Sequence, residues 1–259
     1  MMAADSAAVV LGEHFILFER LPLIYGRVPK VANSSVKAAL TRLLEQPPEE
    51  GWRTTSDAFW RRGTHGETRL IDAATASQCR ATHLIFSFVR NPFDRLVSAY
   101  NNKLIENEGL SGAMERMGLE RGMPFERFLE VVAGTADGDL DVHLLPQSTI
   151  LCRDGVPVPG FIGKLEAMPE HWQLLRRRLR QWGLPALGRL PSKNVRRDGD
   201  SDLGTHFNSQ RCIDLALDRY GDDVQLFYPE QPVEALARGV LSSSPAVWER
   251  WSGPVGSLA

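Results

Sequence analysis

The chain has 259 residues, 43% of them apolar and 24% charged, and a formal net charge of −2. That length builds one substantial core, so a single domain over residues 1–259 is expected, and the near-neutral charge, with no stacking module beside the arginines, argues against a nucleic-acid binder. No apolar run reaches the ~18 residues of a membrane span, and three widely spaced cysteines, Cys79, Cys152 and Cys212, indicate neither a disulfide framework nor a metal site.

The N-terminus lacks the basic start, long apolar centre and cleavage site of a signal peptide, so a cytoplasmic protein is expected. Strand-like runs follow at about 14–20 and 22–28. Leu23, Ile24, Tyr25 and Val28 suit a buried strand, which Pro29 forbids from continuing. From about Ser34 the apolar positions Val36, Ala39, Leu40, Leu43 and Leu44 take helical spacing, predicting a helix over 34–45. A strand that turns into a helix presents unpaired N–H groups and a positive dipole end, which accepts an anion. Lys30 sits in that turn and Lys37 lies further along the helix, while Ser34 and Ser35 can cap it or donate to a phosphate-like oxygen. The glycine-rich G-x-x-x-x-G-K-[ST] loop of nucleoside triphosphatases is absent. A surface turn with a solvated lysine reads the same residues equally well.

Residues 82–89 are β-rich and almost uncharged, Asn91 is a good N-cap, and Pro92 suits a first helical position. The helix predicted over 92–106 buries Phe93, Leu96, Val97, Tyr100 and Leu104. Arg95 and Ser98 fall in the opposite sector, where pairing of Arg95 with Asp94 or Glu106 on a solvated face is expected. Arg90 leaves the strand with no carboxylate near it in the local pattern, and its planar guanidinium suits a terminal phosphate.

Further helices are predicted over 124–132 and 168–182, around a strand at 160–166. Trp172, Leu175, Leu179 and Trp182 stripe the later helix, so Arg176, Arg177, Arg178 and Arg180 form a solvated face, or some of them steer an anion. Gly221 stops a helix carrying Ile213, Ala216, Leu217 and Tyr220, with Asp222 and Asp223 in the turn beyond. From Pro229 a short appended helix with a loose end is expected. Helices alternating with strands imply βαβ crossings and a mainly parallel sheet, which offers phosphate sites at its strand C-termini.

The two segments at 22–37 and 86–100 together resemble the carbohydrate-type sulfotransferases, the second large sulfotransferase family. The likeness spans about 15–228 and includes Phe-Ile-Gly-Lys-Leu-Glu at 161–166, Leu-Pro-Ser-Lys-Asn at 190–194 and Tyr-Gly-Asp-Asp-Val-Gln-Leu-Phe at 220–227. It implies an α/β, three-layer nucleotide-binding fold with a central mainly parallel sheet, related in architecture to the P-loop NTPases. The implied reaction moves a sulfuryl group from 3′-phosphoadenylyl sulfate, as co-substrate and without a metal, to a hydroxyl acceptor, for which a carbohydrate is expected. Carried over by position, Lys30 stabilises the leaving phosphate, while Val31, Ala32, Asn33, Ser34, Ser35 and Lys37 hold the 5′ group. Arg90 and Ser98 grip the 3′-phosphate, and Lys193 lies in the late loop that closes over the nucleotide. Asn33 stands where many members carry Cys or Gly. Histidine is the natural base for the acceptor, with His143 and His65 as candidates. The missing membrane anchor points to a soluble member of the bacterial kind. An ATP-dependent small-molecule kinase and a non-catalytic nucleotide-binding module are the alternatives.

Overall fold

The protein is described by a computed structural model covering residues 12–106, 109–191 and 203–250. It opens with an antiparallel pair, β1 (Phe15–Phe18) and β2 (Leu23–Gly26), in which Phe15 faces Gly26 and Leu17 faces Ile24. Every residue of both strands is buried, which is why they read as unbroken apolar runs rather than alternating ones. The chain then forms α1 (Asn33–Leu40), a 3-10 turn at Thr41–Leu43, α2 (Asp57–Arg62), β3 (Thr68–Ile71) and α3 (Ala73–Gln78). It returns as β4 (Leu84–Val89) and continues into α4 (Pro92–Tyr100), which ends in a π turn at Asn101–Glu106. Next come α5 (Gly112–Arg116), α6 (Phe125–Gly134), α7 (Gln147–Leu151), a small hairpin of β5 (Cys152–Arg153) and β6 (Val156–Pro157), and β7 (Phe161–Lys164). α8 (Met168–Gln181), α9 (Leu203–His206), α10 (Gln210–Phe227), α11 (Val233–Arg238) and β8 (Trp248–Glu249) complete it.

The main sheet has six strands in the order β3-β1-β2-β4-β7-β8. Its centre, β2-β4-β7, is parallel, β3 runs the same way, and β1 and β8 run against them. Helices flank this mixed α/β sheet, so the expected architecture holds, and it brings the C-termini of β2 and β4 side by side, with Gly26 opposite Ser87. The Ser87 hydroxyl donates to the Gly26 carbonyl at 2.8 Å and ties the two strand ends together. Aromatic rings fill the core: Tyr25 stacks on Phe86 at 5.0 Å, and Phe88 packs against Trp172 at 6.0 Å. That packing needs Gly163, because a Cβ there would lie 2.3 Å from the Phe88 ring.

Three expectations are corrected. β3 forms where no element was predicted, and the end of the chain is more than an appended tail, since β8 pairs with β7 at the sheet edge. Gly221 does not stop its helix: α10 runs through it to Phe227 with only a kink at Tyr220 (φ −117°, ψ 16°). Asp223 is consequently a fully buried helical residue rather than part of a turn. Residues 251–259 lie outside the described residues.

Candidate functional site

Beyond β2 the backbone enters the left-handed region twice, at Lys30 (φ 68°) and Ala32 (φ 47°). Neither residue is a glycine, so the turn carries roughly 1–3 kcal/mol of strain per position, the kind of cost that clusters at ligand sites. Ala32 is the N-cap of α1, and its methyl side chain makes no cap hydrogen bond. The positive end of α1 faces a cleft of about 1330 Å³ that Lys30, Ala32, Asn33, Ser34 and Ser35 line. Tyr25 donates its hydroxyl hydrogen to Asn33 Oδ1 at 3.3 Å, fixing the loop to the strand behind it.

The second corner follows β4. Asn91 accepts from the Phe93 amide at 3.1 Å as the N-cap of α4, with Pro92 in the first turn, as its residue types dictate. Arg90 lines the cleft. Its Nε donates to Asp94 Oδ2 at 2.6 Å and its Nη1 to the Lys30 carbonyl at 3.2 Å, so the two corners are joined through this one side chain. A carboxylate does lie near it after all, one helical turn on. Arg95 also departs from expectation, being buried rather than solvated: it donates to the carbonyls of Pro29 (3.0 Å) and Leu145 (2.8 Å). Its long side chain thus ties the first corner to the segment that bears His143.

His143 lines the cleft, and its Nδ1 lies 2.7 Å from Asp141 Oδ1, which also accepts from the His143 amide at 2.8 Å. A carboxylate on Nδ1 fixes the tautomer in which Nε2 remains as the ring's acceptor. Burial alone would raise the Asp141 carboxyl, but hydrogen bonds from His143 and Ser111 outweigh it and hold the group down to about 2. The cleft lining includes a charged cluster in which Asp57 pairs with both Arg27 and Lys37. Burial would raise Asp57 too, yet these two cations bring it down to about 2. Lys37 is buried, also donates to the Thr55 carbonyl at 3.1 Å, and is pulled below the usual lysine range by that burial. His14 also lines the cleft, and burial, reinforced by Arg27, lowers its imidazole to about 4. Trp172, Gln173, Arg176 and Arg189 line the cleft as well. Among the described residues, no group of His, Cys, Asp or Glu side chains could hold a metal ion.

A family model described as "Sulfotransferase family" matches residues 13–229. The chain belongs to sulfotransferase family 2. No curated protein matches it, and no solved structure does.

This sulfotransferase gathers Lys30, Ala32, Asn33, Ser34, Ser35, Lys37, Arg90, Ser98 and His143 around one cleft. Val31 is the exception within the first loop, because its side chain is buried in the hydrophobic core. His65 is not brought to the cleft. It occupies the turn before β3, with Nδ1 3.8 Å from Glu49, at the N-terminal end of a strand whose C-terminal residue Ile71 pairs with Phe15 on the cleft side. Lys193 lies outside the described residues. Sequence reasoning missed His14, Arg27, Asp57 and Arg189, which are scattered along the chain and meet only as lining of the cleft. Arg27, a cation at the exit of a buried strand, carried the same signal as Arg90. Arg176, expected on a solvated face or as a group that steers an anion, lines the cleft.

Proposed function

We propose that this sulfotransferase transfers a sulfuryl group from 3′-phosphoadenylyl sulfate to a carbohydrate hydroxyl, acting as a single cytoplasmic domain. The observation that carries this reading is the coupling of the two cationic corners, where Arg90 donates to the carbonyl of Lys30. A nucleotide with anionic groups at its 3′ and 5′ ends matches such a pair. Lys30, the hydroxyls of Ser34 and Ser35 and the N-terminus of α1 suit the 5′-phosphosulfate. Arg90 and Ser98 suit the 3′-phosphate. Lys37, engaged by Asp57, adds positive charge beneath the loop rather than a direct ligand.

In the reaction, the acceptor oxygen attacks sulfur in line as the bond from sulfur to the bridging phosphate oxygen breaks. The acceptor proton passes to Nε2 of His143, and adenosine 3′,5′-bisphosphate leaves. Lys30 stabilises the charge that grows on the departing oxygen, an interaction stronger in the transition state than before it. Asp141 holds the imidazole in its acceptor tautomer and stabilises the cation formed. The cleft lining carries the Trp172 indole, the Gln173 amide and the guanidinium groups of Arg176 and Arg189, residue types that suit a polyhydroxylated ring, which supports a sugar as acceptor.

The test is transfer from radiolabelled donor to a panel of glycans, lipids and phenols. Label should enter glycans, persist in EDTA, fall about 10²-fold or more in His143→Ala and survive in His65→Ala. Transfer to phenols or lipids alone would contradict the acceptor class. Activity intact in His143→Ala but lost in His65→Ala would overturn the base.

A further inference from the structure

Behind Arg90 lies a set of buried polar contacts from residues that do not themselves line the cleft. Gln147, with no exposed surface, grips the main chain of Arg90 from both sides. Its Oε1 accepts from the Arg90 amide at 2.9 Å and its Nε2 donates to the Arg90 carbonyl at 2.8 Å. Gln147 is in turn set by α10. The two carboxylate oxygens of Asp223 accept from the amides of Gln147 (2.8 Å) and Ser148 (2.6 Å), covering the start of α7. One turn back, the Tyr220 hydroxyl donates to the Leu144 carbonyl at 2.6 Å. The backbone of Arg90 sits just beyond the last rung of β4 and leads into a proline, so it has no continuing ladder to hold it. A side-chain amide supplies the missing donor and acceptor instead.

We infer that Gln147, seated by Asp223, is the positioning residue for Arg90 and thereby sets the preference of the cleft for a nucleotide bearing a 3′-phosphate. This rests on the assignment of the 3′-phosphate to Arg90 above. A guanidinium gains its strength from bidentate geometry, and a rotation of the backbone that carries it removes that geometry without removing the charge. Loss of the clamp therefore weakens the 3′ contact selectively, leaving the first corner and its 5′ ligands in place.

The experiment measures binding of adenosine 3′,5′-bisphosphate and of adenosine 5′-monophosphate to the full chain. Wild type, Arg90→Ala, Gln147→Met and Asp223→Asn are compared, with melting recorded for each. Methionine keeps the volume of Gln147 and deletes both hydrogen bonds. Gln147→Met should lose about tenfold in affinity for the bisphosphate while its affinity for the monophosphate moves less than twofold, and Asp223→Asn should show a smaller loss of the same kind. A parallel loss for both nucleotides, or an unchanged preference, would overturn the inference. So would loss of the fold in both variants, since Gln147 would then serve stability alone. Failure of the underlying reading looks different: wild type would not distinguish the two nucleotides, or Arg90→Ala would keep the distinction.

Discussion

Arg90 and Arg95 lie five positions apart on one strand–helix corner and meet opposite fates. Arg95 is spent on two main-chain carbonyls in the interior, whereas Arg90 keeps a cleft-facing position with Asp94 and the Lys30 carbonyl orienting it. Arg90→Ala should therefore weaken binding of adenosine 3′,5′-bisphosphate by ~1.5–3 kcal/mol, the range for hydrogen bonds to charged groups, as titration calorimetry would read. Unchanged affinity would remove the 3′-phosphate from this corner. Lys30→Ala should depress kcat by a larger factor than it weakens nucleotide binding, because its contact strengthens as charge develops. Equal losses in single-turnover and binding measurements would reduce Lys30 to a ligand. At this scale the sequence revealed which cations stand at strand exits, since residue type and a following proline are local facts. It concealed what those cations touch: the partners of Arg95 are carbonyls at Pro29 and Leu145, far along the chain and without side-chain identity.

At the level of elements, α4 was legible because its cap, its proline and its apolar stripe are all written within a few residues. Its seating was not. Asn91, besides capping α4 through Oδ1, donates from Nδ2 to the carbonyl of Leu236 in α11 at 2.7 Å, and its amide donates to Glu166 Oε1 at 2.6 Å. Asn91→Ala removes the cap and orphans that carbonyl, so it should cost about 2–4 kcal/mol in denaturant unfolding. A loss below about 1 kcal/mol would mean that the α4–α11 contact contributes little. β3 and β8 escaped notice for a related reason: four and two residues long, they carry too short a pattern, and only pairing to a formed sheet makes them strands. The end of α10 was misread because Gly221 is a helix stop by propensity, while the buried carboxylate of Asp223 and its two amide partners favour continuation.

For the whole molecule, the cleft stores charge that ties stability to pH. His14 is held neutral by burial and Arg27, with its value lowered to about 4. Between about 6.5 and 4 the unfolded chain therefore takes up a proton that the folded one refuses, and stability falls as pH falls through that window. Asp57 and Asp141, each held near 2, contribute stability above their ordinary value of 3.8 and lose it as pH drops from about 4 toward 2. Glu166 and Asp223, which burial pushes up, act in the opposite sense. The His14 contribution is isolated by comparison with His14→Gln. Denaturation curves at pH 7 and pH 5 should converge in the variant relative to wild type, and an identical pH response would contradict the assignment.

The account depends most on the two corners acting together on one ligand. Titration of the purified chain with adenosine 3′,5′-bisphosphate, without added metal, should give a single saturable site that Arg90→Ala weakens. Absence of saturable heat with that compound, or saturable binding of magnesium ATP in its place, would contradict it.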